Sequence, residues 1–199
     1  EVEVDEPLEA ASAARLEDLL TAAALCNDAT LQRTEEGDAA GVGDPTEVAL
    51  LDAAAKYDIW REELLDRIPE VREDAFDPDS KRMATVHKSN GKYLVAVKGA
   101  PEAILSNCCA VHTNAGVMPL DDRDLQSWLG RVDGLCGRGL RTIAIADKSV
   151  DKAEGELYTD LTLHGVVGLE DPARDGVEDA ITRCRDAGIS VVMVTGDHA

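Results

Sequence analysis

Two period-two runs joined by Asn90-Gly91 leave the middle of this chain little choice of conformation. Met83, Thr85 and Val86 lead up to Ser89, and Tyr93, Val95 and Val97 alternate on the way back. Asparagine and glycine both tolerate the positive φ of a type I′ turn, so the spacing predicts a tight antiparallel hairpin. The returning strand ends in Lys98-Gly99-Ala100-Pro101-Glu102. Gly99 permits a sharp turn and Pro101 suits the first position of a helix, which puts Lys98 at the rim of a sheet beside a helix N-terminus. An ammonium there suits an anion or a nucleotide, with its charge aimed at whatever enters. A surface lysine at an ordinary strand-to-helix turn accounts for these five residues equally well.

Upstream, Leu16, Leu19, Leu20 and Ala23 mark an amphipathic helix within Leu8–Asn27, and the polar, glycine-rich stretch from Gln32 to Gly43 reads as a loop. Gly43-Asp44-Pro45-Thr46-Glu47 follows, a helix start in which Asp44 caps, Pro45 fits the first turn and Glu47 stands three residues on. That helix continues to Lys56, and a short one covers Trp60–Ile68. Phe76, the one phenylalanine, lies in the polar run Asp74–Lys81. A core phenylalanine would have apolar neighbours at regular spacing, so this one reads as an aromatic platform or as an edge residue. A base stacked on it would gain roughly 1–3 kcal/mol, and Lys81, Lys98 and Arg141 would supply charge toward phosphates.

Downstream, a short helix from Pro101 to Cys108 precedes an irregular stretch through Pro119. Leu125, Trp128, Leu129, Val132 and Cys136 mark a further helix stopped by Gly137 and Gly139. Leu140–Ala146 reads as a buried strand led in by Arg141, Lys148–Asp160 as a charged loop, and Leu161–Leu169 as another strand. After Asp171-Pro172 the texture changes. A helix with Val177, Ala180, Ile181 and Cys184 on its inner face leads to the continuous apolar run Ile189–Val194, the pattern of a parallel strand covered on both faces. It stops at Thr195-Gly196-Asp197. The pattern predicts a partial doubly wound helix-strand unit, whose ligands sit at the carboxyl end of the strand.

A net charge of −20 excludes nucleic acid as a partner, because phosphate backbones need cationic surface. The imbalance is uneven: residues 1–80 carry 6 basic and 23 acidic groups, residues 81–199 carry 14 and 17. An anionic ligand therefore prefers groups from the second part. No run is apolar and long enough to cross a bilayer and the acidic start lacks the form of a signal peptide, so soluble material is expected, with the spans of any membrane-bound parent outside these residues. The five cysteines are odd in number and lack metal-ligand spacing, which reads as reduced, mostly small core residues in a cytosolic setting. His87, His112, His164 and His198 form no HxxxH pair, so spacing gives no reason to expect a zinc site.

Seven motifs stand in order: Cys26-Asn27-Asp28, Gly43-Asp44-Pro45-Thr46-Glu47, Phe76 with Lys81-Arg82-Met83, Lys98-Gly99-Ala100-Pro101-Glu102, Gly139-Leu140-Arg141, Asp171-Pro172-Ala173-Arg174 and Thr195-Gly196-Asp197. In these the chain resembles the cytosolic nucleotide-binding domain of P-type cation-transporting ATPases, of the type II branch that includes the calcium pumps. The resemblance implies an α/β fold, with an antiparallel sheet flanked by helices over residues 1–170, then the hinge and a fragment of the phosphorylation domain over 171–199. It implies that Phe76 stacks on adenine, Glu47 and Lys81 surround the base, Lys98 and Gly99 line the pocket, and Arg141 reaches the phosphates. Asp171 and Arg174 would mark the hinge, and Thr195, Gly196 and Asp197 would lie near the transferred phosphoryl group of the complete pump.

Two departures stand out: His198 replaces the asparagine that usually follows TGD, and Pro78 and Asp79 stand where calcium pumps often have an arginine. The DKTGT motif with its phosphate-accepting aspartate does not occur, nor does the later GDG-type magnesium motif. The resemblance therefore implies a domain at the cytoplasmic face of a membrane that binds ATP, with Mg²⁺ accompanying it, and does not hydrolyse it alone. Its partners would be the phosphorylation, actuator and transmembrane domains, with no membrane contact of its own, and calcium would be the transported ion. A haloacid-dehalogenase-type phosphohydrolase and a non-catalytic interaction domain are the alternatives.

Overall fold

The computed structural model describes residues 10–33, 39–170 and 176–192. The chain divides into two compact units, residues 1–169 and 170–199. The first is built on a seven-stranded sheet of β3 (Glu70–Asp77), β4 (Arg82–Ser89), β5 (Lys92–Gly99), β6 (Cys108–Thr113), β7 (Gly116–Pro119), β8 (Arg141–Val150) and β9 (Leu161–Leu169). Their spatial order is β3-β4-β5-β8-β9-β6-β7, antiparallel throughout except where β6 runs parallel to β9. The expected hairpin is β4–β5: Ser89 pairs with Lys92, and Asn90 and Gly91 take φ of 48° and 78°.

Alternation along β4 and β5 sends side chains to two cores, one on each face. Val86, Val95 and Val97 join Leu161 and Leu163 beneath α4 (Pro101–Leu105) and α5 (Asp122–Cys136). Met83 and Ala96 join Leu20, Leu25 and Leu51 of α1 (Ala10–Leu25) and α2 (Pro45–Ala55), with Leu64 of α3 (Arg61–Arg67). At α2 the cap read from the sequence is in place, with the Asp44 carboxylate accepting from the Thr46 and Glu47 amides at 2.8 and 3.4 Å.

Several expectations are corrected. The stretch Gln32–Gly43 is not wholly loop, because β1 (Thr30–Arg33) pairs with β2 (Ala39–Val42). The irregular stretch before Pro119 is the β6–β7 hairpin, and α4 ends at Leu105. The loop expected over Lys148–Asp160 overlaps the last three residues of β8, which runs on to Val150 because its partner Tyr93 extends that far. The polar run around Phe76 forms β3, an edge strand with one partner, which needs no apolar alternation. Of the cysteines only Cys26 is buried; Cys109 and Cys136 are exposed.

The second unit contains α6 (Val177–Asp186), with Glu178 and Asp179 in its first turn and Arg183 and Arg185 in its last, the polarity a helix dipole favours. None of its side chains is buried, so among the described residues the expected inner face has no core under it. Residues 189–192 form no strand, and Ile189, Val191 and Val192 are 57, 50 and 79% exposed. A parallel strand needs hydrogen-bonded neighbours on its own sheet, and among the described residues of this unit there are none. The doubly wound helix-strand reading is thus not realised over residues 189–192; residues 193–194 and the Thr195-Gly196-Asp197 triplet lie outside the described residues.

Candidate functional site

At the end of the sheet where β5 stops and β8 begins, a cavity of about 500 Å³ opens. It is lined by Asp28, Asp44, Thr46, Glu47, Phe76, Lys81, Lys98, Gly99, Ala100 and the β8 residues Arg141, Thr142 and Ile143. Six residues singled out from the sequence, Glu47, Phe76, Lys81, Lys98, Gly99 and Arg141, are therefore brought together. Asp171, Arg174, Thr195, Gly196 and Asp197 lie outside the described residues.

Lys98 differs from the expected rim lysine. Its side chain is only 7% exposed and its ammonium is bound to the Glu47 carboxylate, which is 14% exposed. The other Glu47 oxygen accepts the Asp28 amide at 3.3 Å, while Asn27 Nδ2 donates to the Glu47 carbonyl at 3.1 Å. Two motifs far apart in sequence, Cys26-Asn27-Asp28 and Gly-Asp-Pro-Thr-Glu, are tied together by these bonds, and Lys98 closes the group from β5. The result is a carboxylate held in the wall by two donors, with its own backbone carbonyl fixed by a third. Beneath it, burial pushes the Cys26 thiol up to about 11 against the opposing charge of Lys98, so Cys26 is a packed, inert group.

Gly99 is required by a close approach. A Cβ there would come within 2.5 Å of the Lys81 carbonyl oxygen and 2.9 Å of Arg82 Cα, both backbone. The same closeness lets the Ala100 amide donate to the Lys81 carbonyl at 2.9 Å. Lys81 itself takes φ 54°, which turns the chain from the Phe76 segment into β4. Phe76 is 55% exposed, as an aromatic platform would be.

The cavity's remaining cations stand toward solvent. Lys81 Nζ lies 3.5 Å from Glu102, both more than half exposed, an attachment worth little in water. Arg141 donates to Thr46 Oγ1 at 3.5 Å and, among the described residues, makes no ion pair. Its charge helps hold Asp44: burial raises that carboxyl, but the Thr46 and Glu47 donors and Arg141 prevail and keep it below its usual value. Asp28 and Thr46 sit in motifs the sequence displayed, but nothing in their spacing announced that they line this wall.

Against known proteins, residues 15–176 match the family model for the P-type ATPase, cytoplasmic domain N. The chain is 37% identical over 188 residues to the sodium/potassium exporting P-type ATPase cta3 of Schizosaccharomyces pombe, covering 90% of this chain and 18% of that protein. It is 35% identical over 184 residues to calcium-transporting ATPase 1 of Bacillus cereus, covering 90% and 20%, and 32% identical over 195 residues to the sodium/potassium-transporting ATPase subunit alpha of Tetronarce californica, covering 88% and 19%. The chain thus spans about a fifth of the length of the curated relatives it matches. With a mostly antiparallel sheet flanked by helices and a family match over most of its length, this chain belongs to the P-type ATPase cytoplasmic domain N family.

Proposed function

We propose that residues 1–170 bind ATP for a P-type cation pump, with adenine stacked on Phe76 and the triphosphate running toward Arg141. What carries this reading is convergence: an exposed ring, a rigid buried carboxylate and two solvent-facing cations come from remote parts of the chain to one cavity of about 500 Å³, within the range of small-molecule sites. The Glu47 carboxylate, fixed by Lys98 and the Asp28 amide, accepts from the exocyclic amine of adenine. Lys81 borders the base, and Gly99 lets the chain pass close enough to leave room for it. Arg141, always charged and fork-shaped, pairs with phosphate oxygens.

Magnesium is carried by the nucleotide. Among the carboxylates lining the cavity, Asp44 is committed to its helix cap and Glu47 to Lys98, which leaves Asp28 alone. Mg²⁺ keeps several waters and is held largely by phosphates, so this donor set fits an ion arriving with ATP better than one bound beforehand. The bound ion neutralises phosphate charge; the chain's own residues bind and orient.

Phosphoryl transfer is mostly positioning around an in-line nucleophile, and no DKTGT aspartate occurs in this sequence. The chain alone therefore binds ATP without turning it over, and residues 171–199, with the hinge at Asp171 and Arg174 and with Thr195, Gly196 and Asp197, belong to the neighbouring phosphorylation domain. The actuator and transmembrane domains complete the pump at the cytoplasmic face of its membrane. Calcium is our assignment for the cation, from the likeness of the Gly-Asp-Pro-Thr-Glu and Lys-Gly-Ala-Pro-Glu motifs to calcium pumps; calcium-stimulated hydrolysis by the full-length pump tests it.

Titration calorimetry with ATP tests the site. Phe76→Ala should weaken binding about 5- to 150-fold, the equivalent of roughly 1–3 kcal/mol of stacking, with no change in melting temperature because the ring is half exposed. Unchanged affinity in a folded variant would remove Phe76 from the site. Phosphoenzyme formed by the purified chain from labelled ATP would refute the binding-only reading.

A further inference from the structure

A second cluster of chemistry-bearing side chains lies away from the cavity, on the face of the sheet that α1 covers. Three neighbouring strands each contribute one residue: His112 from β6, His164 from β9 and Asp147 from β8. Val111 pairs with Leu163, and both of these face the opposite core, so His112 and His164 stand side by side on the α1 face. Their rings stack with centroids 4.2 Å apart and planes 8° from parallel. Asp147 sends one oxygen to within 3.8 Å of His112 Nε2 and the other to within 3.1 Å of His164 Nε2. Arg141, at the nucleotide cavity, is six residues back along β8, about 20 Å away at strand rise.

His164 is the telling member. It is 6% exposed, yet neither ring nitrogen has a hydrogen-bond partner among the described residues. Nε2 is close to Asp147 but out of line for a hydrogen bond. A buried imidazole without a partner is costly, and buried histidines are ordinarily satisfied. His87, in the same sheet, shows the contrast: its two nitrogens are engaged by the Ile68 carbonyl and Thr85 Oγ1 at 3.2 and 2.8 Å.

We propose that His112, Asp147 and His164 form a binding site for a divalent transition-metal ion of the zinc class. One donor atom from each residue lies within 4.8 Å of the others. Ligands about 2.0–2.1 Å from a tetrahedral ion stand roughly 3.4 Å apart; each imidazole Nε2 lies near that distance from its own Asp147 oxygen, 3.8 Å for His112 and 3.1 Å for His164, so the carboxylate must turn for one oxygen to serve both. Because the ring planes are parallel, capture requires them to tilt so that both lone pairs meet at one point. His112 is free to do this, being a quarter exposed and on a strand near the edge of the sheet. Two imidazoles and a carboxylate select Zn²⁺ or Co²⁺ over Ca²⁺ and Mg²⁺, which want oxygen. Three protein donors leave the fourth position to water. The ion would tie β6 to β8 and β9, reinforcing the one parallel pairing of the sheet, which is interrupted by a bulge between Cys108 and Ala110.

Co²⁺ titrated into the whole chelator-stripped chain, followed by its visible d–d absorption with Zn²⁺ as competitor, tests this. One saturable equivalent is expected, displaced by Zn²⁺ and not by millimolar Ca²⁺ or Mg²⁺, with a Zn²⁺-dependent rise in melting temperature. His112→Gln and Asp147→Asn, both at partly exposed positions that spare the buried His164, should each weaken binding by at least about tenfold and abolish the rise. Absence of saturable binding would overturn the proposal. So would binding of equal affinity in both folded variants, which would put the ion elsewhere.

Discussion

Replacing Lys98 by methionine separates two meanings of a buried ion pair. Methionine keeps most of the lysine stem but leaves the Glu47 carboxylate, 14% exposed, without its cationic partner. Breaking such a pair from one side costs about 3–5 kcal/mol, chiefly from the stranded charge. With a urea slope of about 2 kcal/mol per molar, the unfolding midpoint should fall by roughly 2 M. Adding Glu47→Gln removes the stranded charge while its amide oxygen still takes the Asp28 amide, and the midpoint should return to within about 0.5 M of the parent's, the equivalent of about 1 kcal/mol. Urea unfolding followed by circular dichroism measures all three proteins, and ATP calorimetry on the folded variants reports the ligand. The double variant should be stable yet weakened for ATP, because the carboxylate proposed to accept from adenine is gone. If the single variant were as stable as the parent, or the double variant as unstable as the single, the pair would not be the buried, mutually dependent unit described here.

Gly99→Ala should destabilise the chain by about 1–3 kcal/mol, since the new methyl meets the Lys81 carbonyl and Arg82 backbone rather than a movable side chain; a melting temperature equal to the parent's would contradict it. Burial lowers the His87 pKa from 6.5 to about 4, against the Ile68 carbonyl that favours the proton and with Arg61 adding to the depression. The unfolded chain therefore binds the extra proton first, and this contribution to stability is whole above pH 6.5 and is lost as pH falls toward 4; His87→Gln should flatten that slope in unfolding midpoints taken across the range. Iodoacetamide should modify Cys109 and Cys136 in the native protein and leave Cys26 untouched until it unfolds, as mass mapping would show.

The β4–β5 hairpin and the start of α2 were legible because their signals are local: alternation, Asn-Gly, and an aspartate before Pro-Thr-Glu. The cavity residues were legible one at a time, each at the end of an element, and their ordered motifs supplied the common purpose. What local signals could not reveal is pairing at a distance. Lys98 and Glu47 stand 51 residues apart, so the sequence offered a free rim lysine where the fold has a buried ion pair. His112 and His164 meet only because β6 lies beside β9, and no spacing rule anticipates that. Edge strands β3 and β7 escaped notice because a strand with one neighbour and solvent on the other side needs no apolar stripe. The opposite error occurred at residues 189–192, where an apolar run reads as a strand although its partners are not among the described residues.

The hairpin of β6 and β7 is made early in the chain but docks onto β9, the last strand of the sheet, while β8 and β9 slot between it and β5. During synthesis the hairpin must wait, its inner residue Val111 unsheltered, until some fifty further residues have left the ribosome and β9 arrives. A chain that had emerged only as far as residue 160 would hold a four-stranded sheet of β3, β4, β5 and β8 and a stray hairpin, prey for chaperones and proteases; one that had emerged past Leu169 would hold the finished sheet.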